Sequence, residues 1–416
     1  MNEQLLLQGK QAREAARFLA TASTALKDQA LKAMAAGLRA EEKAILEANA
    51  LDMEAGRAMG LTPALLDRLQ LTPARIEEMA AGVESVAALP DPIGDVVKMW
   101  RRPNGLEVGR MRVPLGVVGI IYESRPNVTA DAASLCLKTG NAIILRGGEE
   151  AINSNRAIAA TISRAATACG LPAGAIQFVD SEDRQVAMDL MRMSDYLDVL
   201  IPRGGKGLKQ AVQAHATVPV IMTGMGNCHT YVDEFADLDM ALTITINAKT
   251  QRPSVCNATE TLLVHEKVAK DFLPVVCAEL VARGVELRGC ERTRAIVPGM
   301  AAATEEDWET EYLDLILAIR VVDSLEQAME HIHRYGTMHS EAIITRDYRN
   351  ARRFLAGVDA ACVYVNASTR FTDGFQFGFG AEMGISTQKL HARGPMGLEE
   401  LTSTKFIVFG DGHIRQ

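Results

Sequence analysis

Residues 116–148 read GVVGIIYESRPNVTADAASLCLKTGNAIILRGG. The apolar runs at 116–121 and 141–146 are short, like strands buried on both faces, and the stretch between them, Thr129 to Gly140, is rich in small helix-forming residues. Strand, helix and strand within about thirty residues make a right-handed parallel unit. The alternation continues with a helix near 151–169, a strand near 175–180, a helix near 183–193 and a strand at 196–201. Successive βα units of this kind predict a doubly wound α/β domain.

Upstream, residues 8–90 read as helices rich in Ala, Leu, Glu, Lys and Arg. Thr62-Pro63 and Thr72-Pro73 repeat one starting device, a capping hydroxyl followed by proline at the first helical position. The second of these helices should end before Pro90-Asp91-Pro92. From Val96 to Val113, short strands flank the turn Arg102-Pro103-Asn104-Gly105, which predicts a projecting hairpin. Downstream, a second α/β unit is expected from about Tyr231. It has a helix at 236–247, strands at 259–264, 316–322 and 342–345, and a helix at 266–283. The segment Lys405 to Ile414 reads as a strand that pairs with the hairpin or with a neighbouring subunit.

Composition bounds the function. Across 416 residues, 48% are hydrophobic and 23% charged, and no apolar run is long enough to span a membrane. The formal charge is -8, with 44 Lys and Arg against 52 Asp and Glu, which argues against a general nucleic-acid binder. The first twenty residues lack the basic, apolar and small-residue regions of an export signal, so a cytoplasmic location is expected. Seven cysteines, at 136, 169, 228, 256, 277, 290 and 362, include no CxxC pair and predict neither a disulfide framework nor a zinc site. His331, His333 and His339 cluster in sequence, but they read as the polar end of a helix, and no metal is expected.

One cysteine stands apart. In NAKTQRPSVCNATETLLVH, residues 247–265, Cys256 sits in a polar loop just before an apolar strand. A structural cysteine normally has apolar neighbours. Here Ser254, Asn257 and Thr259 are close in sequence, and Arg252 and Lys249 bring positive charge that favours a thiolate. Cys256 is therefore the candidate nucleophile.

Two strands end in glycine-rich turns, Arg146-Gly147-Gly148-Glu149 and Arg203-Gly204-Gly205-Lys206-Gly207. Neither is a GxGxxG or Walker sequence, and each alone reads first as a tight structural turn. Two such turns on adjacent strands point to a dinucleotide site, with glycines admitting a pyrophosphate and an arginine beside the 2'-phosphate of NADP. Ahead of both in sequence, Tyr122-Glu123-Ser124-Arg125-Pro126-Asn127 follows the first strand. Asn127 is either a helix cap or, facing Cys256, the donor to an oxyanion formed when a thiolate attacks a carbonyl.

The segments ESRPNV, ILRGG, IPRGG, NAKTQRPSVCN, VNASTRFTDG and QKLHARGPMGLEELT resemble those of the gamma-glutamyl phosphate reductase family, within the aldehyde dehydrogenase superfamily. The resemblance runs essentially end to end, and residues 322–343, VDSLEQAMEHIHRYGTMHSEAI, resemble the family's signature region. It implies a Rossmann-type cofactor domain (1–95 and 114–230) and a catalytic α/β domain (231–365). It also implies a small β oligomerisation element (96–113 and 400–416), with 366–399 as a return segment carrying substrate-site loops. The implied reaction is NADPH-dependent reduction of L-glutamyl 5-phosphate to L-glutamate 5-semialdehyde through a cysteine thioester, in proline biosynthesis. The expected partners are that small-molecule substrate and further copies of the chain, with no nucleic acid or membrane.

Residue by residue, the resemblance places Cys256 as nucleophile and Asn127 in the oxyanion hole. It places Arg146 and Glu149 at the adenosine ribose, with Gly147, Gly148, Arg203, Gly204 and Gly205 around the cofactor, and Glu311 at the nicotinamide ribose. Arg125, Arg252 and Arg370 are the candidates for holding the substrate's phosphate and carboxylate. Hydrolytic aldehyde dehydrogenases carry a glutamate base where this chain reads Met222-Thr223-Gly224-Met225-Gly226, with no carboxylate. A base that activates water would waste an acyl-enzyme meant for reduction. Two alternatives stay open: a hydrolytic aldehyde dehydrogenase, and a non-catalytic nucleotide-binding scaffold.

Overall fold

The computed structural model describes residues 2–415. The chain divides into two compact units, one running to Met222 with Gly378–Gly384 and the residues from Met396 onward, the other comprising Thr223–Phe377 and Ile385–Pro395. The expected boundary at 230/231 falls inside a strand, and the 366–399 segment is shared between the two units.

The first unit opens with helices α1 (Glu3–Leu19), α2 (Thr24–Ala40), α3 (Glu42–Ala58), α4 (Pro63–Leu69) and α5 (Pro73–Ala88). The two Thr-Pro starts behave as read: Thr62 Oγ1 accepts from the Leu65 amide at 3.3 Å and Thr72 Oγ1 from the Arg75 amide at 3.2 Å. Strands β1 (Val96–Arg101) and β2 (Glu107–Pro114) form the hairpin, and the chain's last strand, Thr402–Phe409, pairs antiparallel with β2. That strand is shifted from the expected 405–414, because the chain turns away at Gly410.

The βα alternation follows: β3 (Val117–Tyr122), α6 (Val128–Lys138), β4 (Ala142–Gly147), α7 (Ile152–Ala168), β5 (Ile176–Phe178), α8 (Arg184–Leu190), β6 (Val199–Arg203) and α9 (Lys206–His215). The strands form one parallel sheet ordered β5-β4-β3-β6. This order corrects one expectation: the two glycine-rich turns, after β4 and β6, are not on adjacent strands, because β3 lies between them. The chain winds outward from β3 to β5 and then returns to the other side of β3, so the crevice where strand order reverses lies at the carboxyl ends of β3 and β6.

The second unit contains β7 (Cys228–Val232), α10 (Leu238–Thr250), β8 (Thr259–His265), α11 (Glu266–Ala282), β9 (Glu286–Gly289), α12 (Glu291–Ile296), β10 (Ala301–Ala302) and α13 (Glu305–Glu309). It continues with β11 (Ile316–Val322), α14 (Leu325–Tyr335), β12 (Ser340–Ile344), α15 (Tyr348–Gly357) and β13 (Cys362–Val365). Its parallel sheet runs β10-β9-β11-β8-β7-β12-β13. Helix α10 starts two residues later than expected, because the Asp237 carboxylate caps the amides of Asp239 and Met240.

Strand β8 is buried throughout and serves both faces. Leu262 and Val264 pack with Phe272, Leu273 and Val276 of α11, while Leu263 packs with Leu325 and Ile332 of α14 and Phe354 of α15. At about 1.5–3 kcal/mol per fully buried large aliphatic side chain, these contacts fix the height of β8 and of the loop that precedes it. No helix among the described residues is long and apolar enough to cross a membrane.

A buried carboxylate ties the helical layer of the first unit together. Asp52 of α3 accepts from the Asn153 amide at 3.2 Å, Asn153 Nδ2 at 2.9 Å, the Ser154 amide at 2.7 Å and Ser154 Oγ at 2.5 Å. Those amides open α7 and have no partner within the helix. Replacing Asp52 with Ala should destabilise this junction by about 2 kcal/mol, read as exchange of the 153 and 154 amide hydrogens roughly thirtyfold faster. Unchanged exchange would show that the carboxylate is not what caps α7.

Candidate active site

The site residues of the first unit gather at the carboxyl edge of its sheet. Glu123 follows β3, and its backbone amide donates to the Arg203 carbonyl at 3.0 Å. Its side chain accepts from the Gly205 amide, which opens α9, at 2.7 Å. A Cβ on Gly204 would lie 2.4 Å from a Glu123 carboxylate oxygen, so the turn is shaped around that group. Next to it, Ser124 has a left-handed φ of 44° and donates through both its amide and its hydroxyl to Glu150, at 2.6 Å each.

Arg146, the last cation of β4, is buried, and its Nε has no hydrogen-bond partner among the described residues. Burial pulls its guanidinium below the ordinary range, opposed by the charges of Glu150 and Glu149. Glu149 also faces Arg184 at 3.5 Å, and Arg203 faces Glu382 at 3.7 Å. This edge suits a dinucleotide. The helix-opening amide of α9 already holds an anion, the chain's own Glu123, and Arg146 keeps a buried donor in reserve. Neither Glu123 nor Glu150 was singled out from the sequence, although both flank the quoted turns.

Asn127 begins α6 and is exposed. Its side chain does not cap the helix; its amide nitrogen donates to Asp131 Oδ2 at 2.8 Å. The capping alternative is thus set aside. Arg125 is half-buried on the same turn.

In the second unit the candidate residues lie at the amino edge of the sheet. Cys256 forms no disulfide and is half-buried in a turn ahead of β8. Its backbone is clamped from several sides. A Cβ on Gly226 would fall 1.4 Å from the Cys256 carbonyl oxygen, so only glycine permits this approach. The Gly226 amide donates to Glu311 Oε1 at 2.7 Å. The stretch 222–226, which carries no carboxylate of its own, therefore receives one from Glu311, which brings that residue beside the Cys256 turn.

On the next residue, Asn257 Nδ2 donates to the Thr372 carbonyl at 2.8 Å, and Thr369 Oγ1 donates to the Asn257 carbonyl at 2.7 Å. Arg370 donates through Nε to Gln251 Oε1 at 2.9 Å and through its guanidinium to Asn257 Oδ1. Burial lowers the Arg370 guanidinium, and attraction to Cys256 and Asp373 opposes that shift. Arg370 is thus a cation tied to the residue that follows Cys256. Arg252 is exposed, and its charge repels that of Arg370.

Two expectations are corrected. Lys249 does not lend its charge to the cysteine, because it is fully buried against Glu260, Nζ to Oε2 at 2.5 Å. Burial pushes Glu260 up to about 7 and pulls Lys249 down. The three histidines do not form one polar helix end either. His331 is buried against Trp308 and Tyr335 and accepts from Arg320 at 3.0 Å, with burial lowering it to about 2. His333 is exposed, and His339 is buried at the head of β12. Among the described residues, no three His, Cys, Asp or Glu side chains group as a metal site.

The sequence reading also missed what lies beneath the cysteine. Cys228 is 3.2 Å from the Cys256 carbonyl, and His339, Ser340 and Thr372 continue from it as a buried polar chain. The available signal was polar residues heading two buried strands, Cys228-His229 and His339-Ser340.

Comparison with known proteins identifies the family. Residues 3–294 match the model of the aldehyde dehydrogenase family. The gamma-glutamyl phosphate reductase of Syntrophomonas wolfei is 68% identical over 415 residues, covering 100% of this chain and 99% of that one. That of Moorella thermoacetica is 68% identical over 408 residues, 98% of each. The crystal structure of the gamma-glutamyl phosphate reductase of Thermotoga maritima superimposes with a TM-score of 0.96 at 54% identity, covering 100% of both chains. The chain belongs to the aldehyde dehydrogenase family, and within it to the gamma-glutamyl phosphate reductases.

Proposed function

We propose that this chain reduces L-glutamyl 5-phosphate to L-glutamate 5-semialdehyde with NADPH, releasing phosphate, in proline biosynthesis and in the cytoplasm. The observation that carries the reading is Cys256, held half-buried on a turn clamped by Gly226, with the Arg370 cation bonded to its neighbour Asn257. A positive neighbour favours the thiolate, which is the attacking form. The sulfur adds to the acyl carbonyl, the Cys256 amide and Asn127 donate to the oxyanion, and collapse expels phosphate to leave a thioester on Cys256. Bound at this site, NADPH would supply the hydride for the acyl carbon held on Cys256. Cys256 then departs as the thiolate, and the aldehyde is released.

Arg146, with Glu149 and the turns Gly147-Gly148 and Arg203-Gly204-Gly205, would hold the cofactor, and Glu311 its nicotinamide ribose. The buried Arg146 guanidinium supports a phosphate on that side and hence NADPH over NADH. Arg370, Arg252 and Arg125 are assigned to the substrate's anionic groups. Glu311 spends Oε1 on the Gly226 amide, and residues 222–226 contain no carboxylate, which favours phosphate over water as the second acyl partner.

The chain is further proposed to assemble with copies of itself through β1, β2 and the last strand, where Phe406 is 66% exposed and Val408 56%.

Semialdehyde oxidation by this chain should depend strictly on inorganic phosphate, and Cys256→Ala should abolish it while NADPH still binds by fluorescence titration. Turnover without phosphate, or substantial turnover by the variant, would contradict the thioester route. Asn127→Ala should lower kcat about a hundredfold, the scale of a lost oxyanion donor; a change under about threefold would remove it from that role. Phe406→Lys with Val408→Lys should give a smaller species by light scattering, and an unaltered mass would exclude this face from assembly.

A further inference from the structure

We propose that Cys228 is a positioning residue for the nucleophile: its thiol, at the head of β7, holds the main-chain carbonyl of Cys256 and so sets the direction in which the reactive sulfur points. The inference rests on the reading of Cys256 as the acyl carrier. Cys228 Sγ lies 3.2 Å from that carbonyl oxygen and 3.7 Å from His339 Nδ1. A thiol has one proton to give. With that proton on the Cys256 oxygen, the sulfur meets His339 as an acceptor or as a plain contact.

Cys228 remains a donor near neutral pH, because burial pushes its thiol well above the ordinary range and the charges of Glu341 and Cys256 push the same way. Gly226 packs against the same carbonyl, where even a methyl group would overlap the oxygen. Cys228 and Gly226 thus approach the same oxygen from one short segment. Asn227, between them, is itself anchored, Nδ2 donating to the Trp308 and Tyr335 carbonyls at 2.7 and 2.8 Å.

Beyond Cys228 the chain of contacts turns back to the nucleophile loop. His339 Nδ1 is 2.8 Å from Ser340 Oγ, and Ser340 Oγ is 2.6 Å from Thr372 Oγ1. Thr372 accepts through its carbonyl from Asn257. The direction of the Cys256 carbonyl fixes ψ of that residue and with it the orientation of its Cα–Cβ bond. A carbonyl freed to rotate would leave the substrate-binding groups in place and misdirect only the sulfur. The predicted signature is therefore a loss in kcat with KM preserved.

The test uses the full chain with Cys228→Ala and Cys228→Ser, assayed as semialdehyde oxidation with phosphate. The alkylation rate of Cys256 by iodoacetamide is measured in parallel and assigned by peptide mapping, since Cys169 and Cys290 are also partly exposed. Cys228→Ala should lower kcat about tenfold with KM held within about twofold, the scale of one lost hydrogen bond, and should slow alkylation of Cys256. Cys228→Ser, whose hydroxyl donates in the same direction, should stay within about threefold of the parent.

Full kcat in Cys228→Ala would overturn the proposal, as would Cys228→Ser falling as far as Cys228→Ala, which would make volume rather than the donor the cause. Should the alanine variant not fold, Cys228→Val compared with Cys228→Ser makes the same test, and equal kcat overturns it. Cys256→Ala run alongside separates the two readings. Turnover retained there sinks the thioester route itself, whereas its loss together with an unaffected Cys228→Ala sinks only the positioning role.

Discussion

The contact between Gly226 and the carbonyl of Cys256 is the constraint on which the second unit's chemistry is built. Two main chains approach so closely that a side chain at 226 is sterically forbidden. Such an approach needs support on both sides. Below, β8 is locked between two apolar layers, and above, Glu311 holds the Gly226 amide while Asn227 is pinned to two carbonyls. The cysteine turn therefore inherits the rigidity of the sheet without being part of it, which suits a residue that must meet a carbonyl at a set distance.

Charge is arranged differently at the two sheets. In the second unit Arg370 is partly buried against Asn257, and Lys249 is cancelled by Glu260. Removing one partner of that buried pair would strand a charge, so the pair anchors α10 to β8 rather than tuning the thiol. In the first unit carboxylates dominate: Glu123 and Glu150 accept backbone amides at the very turns that a dinucleotide would approach. A phosphate at these turns would meet these internal anions as well as the buried Arg146 guanidinium.

The sheets also present their functional residues at opposite edges. The first unit follows the general rule of open α/β sheets, with the turns after β3 and β6 flanking the point where strand order reverses. In the second unit, Cys228 heads its strand and Gly226, Cys256 and His339 precede theirs, at the amino edge. Its carboxyl edge is filled instead by a satisfied network in which Asp233 accepts from Tyr231, Thr345 and Asn350. That network occupies the carboxyl edge, and the candidate nucleophile lies at the other.

Much of this was legible in the chain itself. Apolar runs of strand length alternating with capped helices specify parallel βα units, because the buried strand and the Thr-Pro start are local signals with local causes. The exceptional context of Cys256 was legible for the same reason, since its polar neighbours are its sequence neighbours. What the sequence could not supply were relations among residues far apart in the chain. That β3 separates the two glycine turns follows from the sheet's winding. That Lys249 is spent on Glu260, that Glu311 reaches Gly226 and that Cys228 meets the carbonyl of Cys256 are all decided by packing across strands. Local propensity settles which segments become strands and helices; only burial of their shared faces decides which distant side chains become neighbours, and that is where the Cys256 thiol acquires its setting.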